Sequence, residues 1–421
     1  MEIPNSKSDT NTIKQQIQTL EDKAEKYYYT APDTAYYYLD SAFQLAVRTD
    51  DIPLQFNLIK EKGFLLARQN LYDSALYFYD VATDYINPEV PDEEVFMLKS
   101  LQSEALYYHG NIDSALSLIN QVLHYAQEHQ DTSLLLRSYG NGLTFESTRG
   151  NHTLALEYGE KALEYTQSIT EEVITYLRIA SVYIEVKLYD KAIKSLREAL
   201  DLTQQDEGRD LSGMIYNNLG RAFEGKEVYD SALYYYQKSY ELRKKKGVQS
   251  RVPVALINIG NIYLEYEEYD KALKYYREAY NHPNIHNHTK ALTATTVNIG
   301  VIFSLTNQTD SATYYLERGY QLADKHGYLQ FKLVTLNRMA ENEENKENYI
   351  VALALKDSAM KLNDSIWDDK LNERVATLQA EANMEQKIRE NDLLRKRDKE
   401  NQRRIFYQRV SMVLLGWVSS V

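Results

Sequence analysis

The 421-residue sequence has no cysteine. That excludes disulfides, thiol nucleophiles and cysteine-ligated metals. Proline (7) and glycine (16) are scarce, which argues against a turn-rich β architecture. No glycine-rich phosphate loop, HExxH pair or nucleophile motif occurs, so neither an enzyme nor a cofactor is predicted. Positive charge is also short: 48 Lys and Arg stand against 61 Asp and Glu, a net −13. Such a surface argues against direct nucleic-acid contact. Tyrosine, at 37, is the abundant residue, in runs such as Tyr27–Tyr29 and Tyr234–Tyr236. These read as packing between helices with hydroxyls at the surface.

What the sequence does have is a repeat. Residues 217–240, NNLGRAFEGKEVYDSALYYYQKSY, return at 257–280 and again at 297–320. A fixed period in this range marks a stacked array. Aligned on Ala232, Ala272 and Ala312, each copy has a glycine twelve residues earlier (Gly220, Gly260, Gly300). An aromatic stands nine earlier (Phe223, Tyr263, Phe303), and a small residue seven later (Ser239, Ala279, Gly319). Small residues at helical spacing let two helices approach, and an aromatic fills the space beside them. A short polar turn such as YEEYD divides the two stretches, its Asp being a candidate cap for the second helix. Each copy is a helical hairpin that cannot bury its apolar face alone, so neighbours must stack.

This spacing resembles the tetratricopeptide repeat, in a form longer than the standard length of about 34 residues. Marker alanines at 35, 75, 115, 155, 192, 232, 272, 312 and 352 predict an all-α solenoid of about nine hairpins over residues 1–363. The fourth copy departs from the pattern. Its glycine and aromatic are displaced by one, and Glu146 stands where an aromatic is expected; Glu343 does so in the ninth. Looser packing is expected at both.

Residues 364–409 lack glycine and proline and read as one long helix. Leu371, Val375, Leu378 and Ala382 form a short coiled-coil-like seam, which would cap the last repeat or pair two copies as a homodimer. Residues 385–421 carry +4, so the remainder carries −17. The uncharged stretch VSMVLLGWVSSV (410–421) follows a basic run and reads as a membrane-inserting helix that is cut short. This order resembles bacterial membrane regulators with tetratricopeptide sensors, followed by a span and an output domain. That resemblance implies a membrane-associated chain at the bacterial inner membrane, its solenoid leaning periplasmic; the basic run before the apolar stretch favours the cytoplasm.

In the family, the position fourteen residues before the marker faces a ligand groove. Here it holds Arg178, Asn218, Asn258, Asn298 and Arg338, with Asn141 if the fourth copy keeps register. Arg221 and Asn261 lie one turn further along. The resemblance implies that such asparagines pair with the backbone of an extended peptide, and arginines with its carboxylates. The alternative use is bonding between neighbouring repeats. His282, His286 and His288 share one loop, where solvent exposure is expected rather than a metal. The expected function is a protein- or peptide-binding module, the sensory part of a membrane-anchored signalling or transcription regulator. The alternatives are a cytoplasmic peptide receptor controlling a response regulator, and a passive scaffold.

Overall fold

The computed structural model describes residues 7–28, 31–203, 211–245, 247 and 251–366. Most of the long C-terminal helix predicted over 364–409, its seam, and the apolar stretch 410–421 lie outside the described residues. Every regular element described is helical. The chain divides into two compact units, Met1–Val248 and Gln249–Val421.

The first unit holds six hairpins among the described residues: α1 (Lys7–Tyr27) with α2 (Pro32–Ala46), α3 (Ile52–Arg68) with α4 (Tyr72–Thr83), and α5 (Asp92–His109) with α6 (Ile112–His129). These are followed by α7 (Thr132–Thr148) with α8 (His152–Glu164), α9 (Ile169–Glu185) with α10 (Tyr189–Thr203), and α11 (Ser212–Gly225) with α12 (Tyr229–Lys245). The second unit holds three: α13 (Val252–Glu265) with α14 (Tyr269–Tyr280), α15 (Thr289–Leu305) with α16 (Thr309–Lys325), and α17 (Leu329–Asn345) with α18 (349–366). The nine marker alanines are all buried.

Packing follows the repeat. Gly220 leaves room for the ring of Tyr236: a Cβ there would stand 2.5 Å from it. Gly260 does the same for Tyr276, and Gly63 for Tyr79. The aromatics nine before the marker stack on tyrosines of the second helix, Phe223 on Tyr235 and Tyr263 on Tyr275, each at 5.5 Å. Ser239, fully buried, donates to the Gly213 carbonyl at 2.7 Å, tying α12 to α11.

The fourth hairpin keeps the volume but exchanges the sides. Leu143 on α7 stands where the other hairpins carry a small residue, and Gly159 on α8 where they carry a large one; a Cβ on Gly159 would stand 2.8 Å from Leu143. Gly142 gives way to Tyr158, and Phe145, one residue early, stacks on Tyr107 at 4.5 Å. Glu146 is buried, with one carboxylate oxygen lacking a partner, and burial raises its pKa. In the ninth hairpin Glu343 is satisfied instead by Lys346 at 2.9 Å and Asn348 at 2.8 Å.

The turns differ from expectation. The conserved-register Asp (Asp73, Asp230, Asp270) does not cap the second helix; it lies inside the first turn, and where the cap is described no side chain makes it. It acts on the helix dipole instead. The hairpins close through the first helix's C-terminus. The residue five before the marker is left-handed in eight of them: Asn70, Gly110, Gly150, Lys187, Glu227, Glu267, Asn307 and Glu347. Around Glu227, the Val228 N–H donates to the Phe223 carbonyl at 2.9 Å and the Glu227 N–H to the Glu224 carbonyl at 2.8 Å. This paired closure satisfies carbonyls that the helix end leaves open.

The expected membrane association is overturned: no helix among the described residues is long and apolar enough to cross a membrane.

Candidate functional site

In each unit the odd-numbered helices, the first of each hairpin, lie beside one another: α5, α7, α9 and α11 in the first, α13, α15 and α17 in the second. The positions fourteen and eleven before the marker fall on these helices. The repeat therefore places the candidate residues in one layer within each unit.

In the second unit that layer is largely occupied with itself. The Asn298 side-chain amide donates to Asn261 Oδ1 at 3.2 Å, across α15 and α13. The same oxygen accepts from the buried Tyr276 hydroxyl at 2.7 Å. Asn258 has a partner as well. Arg338 pairs with Glu341 at 2.6 Å within its own helix.

In the first unit the outcome is opposite. Asn218 on α11 is half-buried and its amide has no hydrogen bond among the described residues. Arg221, one turn on, is exposed and has no ion pair there. Arg178 on α9 is half-buried, and its guanidinium occupies the space that a Cβ on residue 140 would take, so Gly140 on α7 makes room for it. Burial holds the Arg178 pKa below its ordinary value, while the Glu104 carboxylate pulls it back up. Arg178 makes no hydrogen bond or salt bridge among the described residues. Arg178, Ser181 and Asn218 form the polar lining of a pocket of about 280 Å³ between α9 and α11, walled by Ile174, Leu177, Leu211 and Met214.

Three further residues belong to this layer. Glu104 on α5 receives Arg137 at 2.7 Å and the Asn141 amide at 2.8 Å. Arg137 also donates to Ser100 Oγ at 3.1 Å. Glu104 stands eleven before its marker, the register of Arg221 and Asn261, and this was its signal in the sequence. Arg137, one turn before Asn141, and Gly140 had none. Of the loop histidines, His282 accepts from the Asn284 N–H at 3.2 Å and shapes a 3-10 turn over 283–287.

A tetratricopeptide repeat model matches residues 171–245, and a second matches residues 255–283. A comparison with the curated proteins finds no match. Among solved structures the chain is similar to a signal transduction ATPase with a tetratricopeptide repeat sensor, PH0952 from Pyrococcus horikoshii. The identity is 15% and the TM-score 0.60, over 88% of this chain and 55% of that one. It is similar to the apo quorum sensor NprR from B. thuringiensis at 12% identity and TM-score 0.57, covering 83% and 99%. It is also similar to a Rap protein complexed with competence and sporulation factor at 16% identity and TM-score 0.50, covering 75% and 99%. At these identities the likeness concerns the fold. Repeat spacing, hairpin geometry and family matches agree: the chain is a tetratricopeptide repeat protein, a solenoid of helical hairpins.

Proposed function

We propose that the chain is a peptide receptor: a sensory adaptor that takes an extended segment on the odd helices of its first unit and passes the event to a partner protein. The observation that carries this reading is the pocket between α9 and α11, where Arg178 and Asn218 stand together without partners of their own. An amide with free donor and acceptor pairs with an extended backbone whatever its side chains. A buried polar group without a partner is costly in the free protein, and a ligand that satisfies it recovers that cost. The similarity to a quorum sensor and to a Rap protein solved with a signalling factor supports the same reading, as does that to a sensor module of an ATPase. A response regulator is the class of partner it suggests.

The test is a screen of arrayed seven-residue peptides against the full chain. Hits should weaken at least about tenfold in the double variant Asn218→Ala, Arg221→Ala, the loss of one or two hydrogen bonds, one of them charged. Hits that bind this variant as tightly as the parent would remove the groove from the account.

A further inference from the structure

The charges around Arg178 narrow what such a ligand must carry. Three groups act on its guanidinium: the Glu104 carboxylate, the Tyr108 hydroxyl and the Arg137 guanidinium. The carboxylate is already committed, since Arg137 holds one of its oxygens at 2.7 Å and Asn141 holds the same oxygen at 2.8 Å. Two arginines therefore share one acid, and Arg178 is the one left over. Its five N–H donors form a fixed fork suited to two oxygens in one plane. Gly140 lets that fork lie against the α7 backbone, where a side chain would displace it. On the other flank, toward α11, the walls turn apolar with Ile174, Leu211 and Met214.

We propose that this site recognises a carboxylate next to an apolar side chain on an extended peptide. The carboxylate lies on the Arg178 fork beside α7. The neighbouring apolar group fills the pocket between α9 and α11, and the linking backbone amide pairs with Asn218. This rests on the peptide-receptor reading above. Recognition is local rather than long-range. The chain carries −13 overall, which repels a polyacidic ligand, but the Debye length of about 8 Å at physiological salt confines that repulsion. One or two acids, desolvated on Arg178, is the composition that fits.

The carboxylate belongs either to an Asp or Glu side chain or to a peptide C-terminus, and the experiment separates the two. Seven-residue peptides are arrayed with free and with amidated C-termini, each acidic peptide beside its Asn or Gln counterpart. The full chain is compared with Arg178→Met, which keeps the length of the stem, and with Gly140→Ala. Neutralising the acid should weaken binding to the parent by about tenfold or more, and to Arg178→Met by less than twofold. Sensitivity to amidation assigns the carboxylate to the C-terminus; insensitivity assigns it to the side chain. Gly140→Ala should behave as Arg178→Met does. Without peptide, Arg178→Met should melt at or above the parent, because an unpaired buried charge is removed. A clear drop in melting would show that Arg178 is paired in the free protein and overturn the proposal. Hits indifferent to neutralisation, yet weakened by Asn218→Ala, would overturn the carboxylate and leave the peptide groove standing. A library without any hit would overturn both.

Discussion

Asn218 and Asn298 occupy the same place in their repeats, eighty residues apart, yet have opposite fates. In the second unit, Asn298, Asn261 and Tyr276 close a chain of hydrogen bonds between α13, α15 and α14. In the first, Asn218 has Arg221 one turn away where Asn258 has Asn261, and neither Asn218 nor Arg221 finds a partner among the described residues. Repeat register puts a side chain in a layer. Whether it is available for a ligand depends on what stands one turn along and on the next helix. The asparagine row, read from spacing as one ladder, is two things: a packing device in the second unit and an open surface in the first.

The comparison breaks most sharply at Tyr276. Replacing it with Ala removes the hydroxyl that holds Asn261 and empties the ring space beneath Gly260. Denaturation of the second unit should cost about 3–5 kcal/mol less than in the parent, the range for losing a buried aromatic. A smaller effect comes from the amides themselves. Asn261→Ala and Asn298→Ala should each destabilise by about 1 kcal/mol, and their double variant by less than the sum, since they share one hydrogen bond. Asn218→Ala should stay within about 0.5 kcal/mol of the parent. Equal costs at all three positions in urea titrations would erase the distinction drawn here.

Glu146 offers a test by pH in the first unit. Burial raises its folded pKa above the unfolded value, so the folded state holds the proton more tightly. Stability contributed by this group should therefore rise as pH falls from neutral toward and through the folded pKa, and be absent at neutral pH. Glu146→Gln should stabilise by about 1 kcal/mol at neutral pH and flatten that dependence; an unchanged slope would contradict the burial. The smallest effect belongs to the turns. Glu227 and Glu267, at φ of 60° and 57°, adopt a backbone that glycine accepts more readily. Each Glu→Gly change should raise stability by up to about 1 kcal/mol, one in each unit, with no change in peptide binding.

The fold was legible because the repeat states it several times over. Gly220, Phe223, Ala232 and Ser239 pack as their spacing implies, and each later copy confirms the register. The turn chemistry was hidden for a physical reason: Lys187, Glu227, Glu267 and Glu347 carry no mark of the left-handed conformation that two carbonyl-closing hydrogen bonds impose on them. The Asp in each turn looked like a cap because the helix was read as starting one residue late. The fourth hairpin resolved its mismatch by moving the glycine to the other helix, Leu143 against Gly159, a compensation visible only in three dimensions. The membrane reading arose from 410–421, while no described helix suits a bilayer. At the candidate site, spacing located Arg178, Asn218 and Arg221 but gave no warning that Arg137 would claim Glu104. Partner choice is a long-range property, and a one-dimensional period does not encode it.

The division between an open layer and a closed one is tested most directly by the side-chain amide resonances of Asn218, Asn261 and Asn298, followed by NMR in the full chain as a library-derived peptide is added to saturation. The account predicts that the Asn218 signal shifts while those of Asn261 and Asn298 stay in place. Movement of Asn261 and Asn298 with Asn218 unchanged would contradict it.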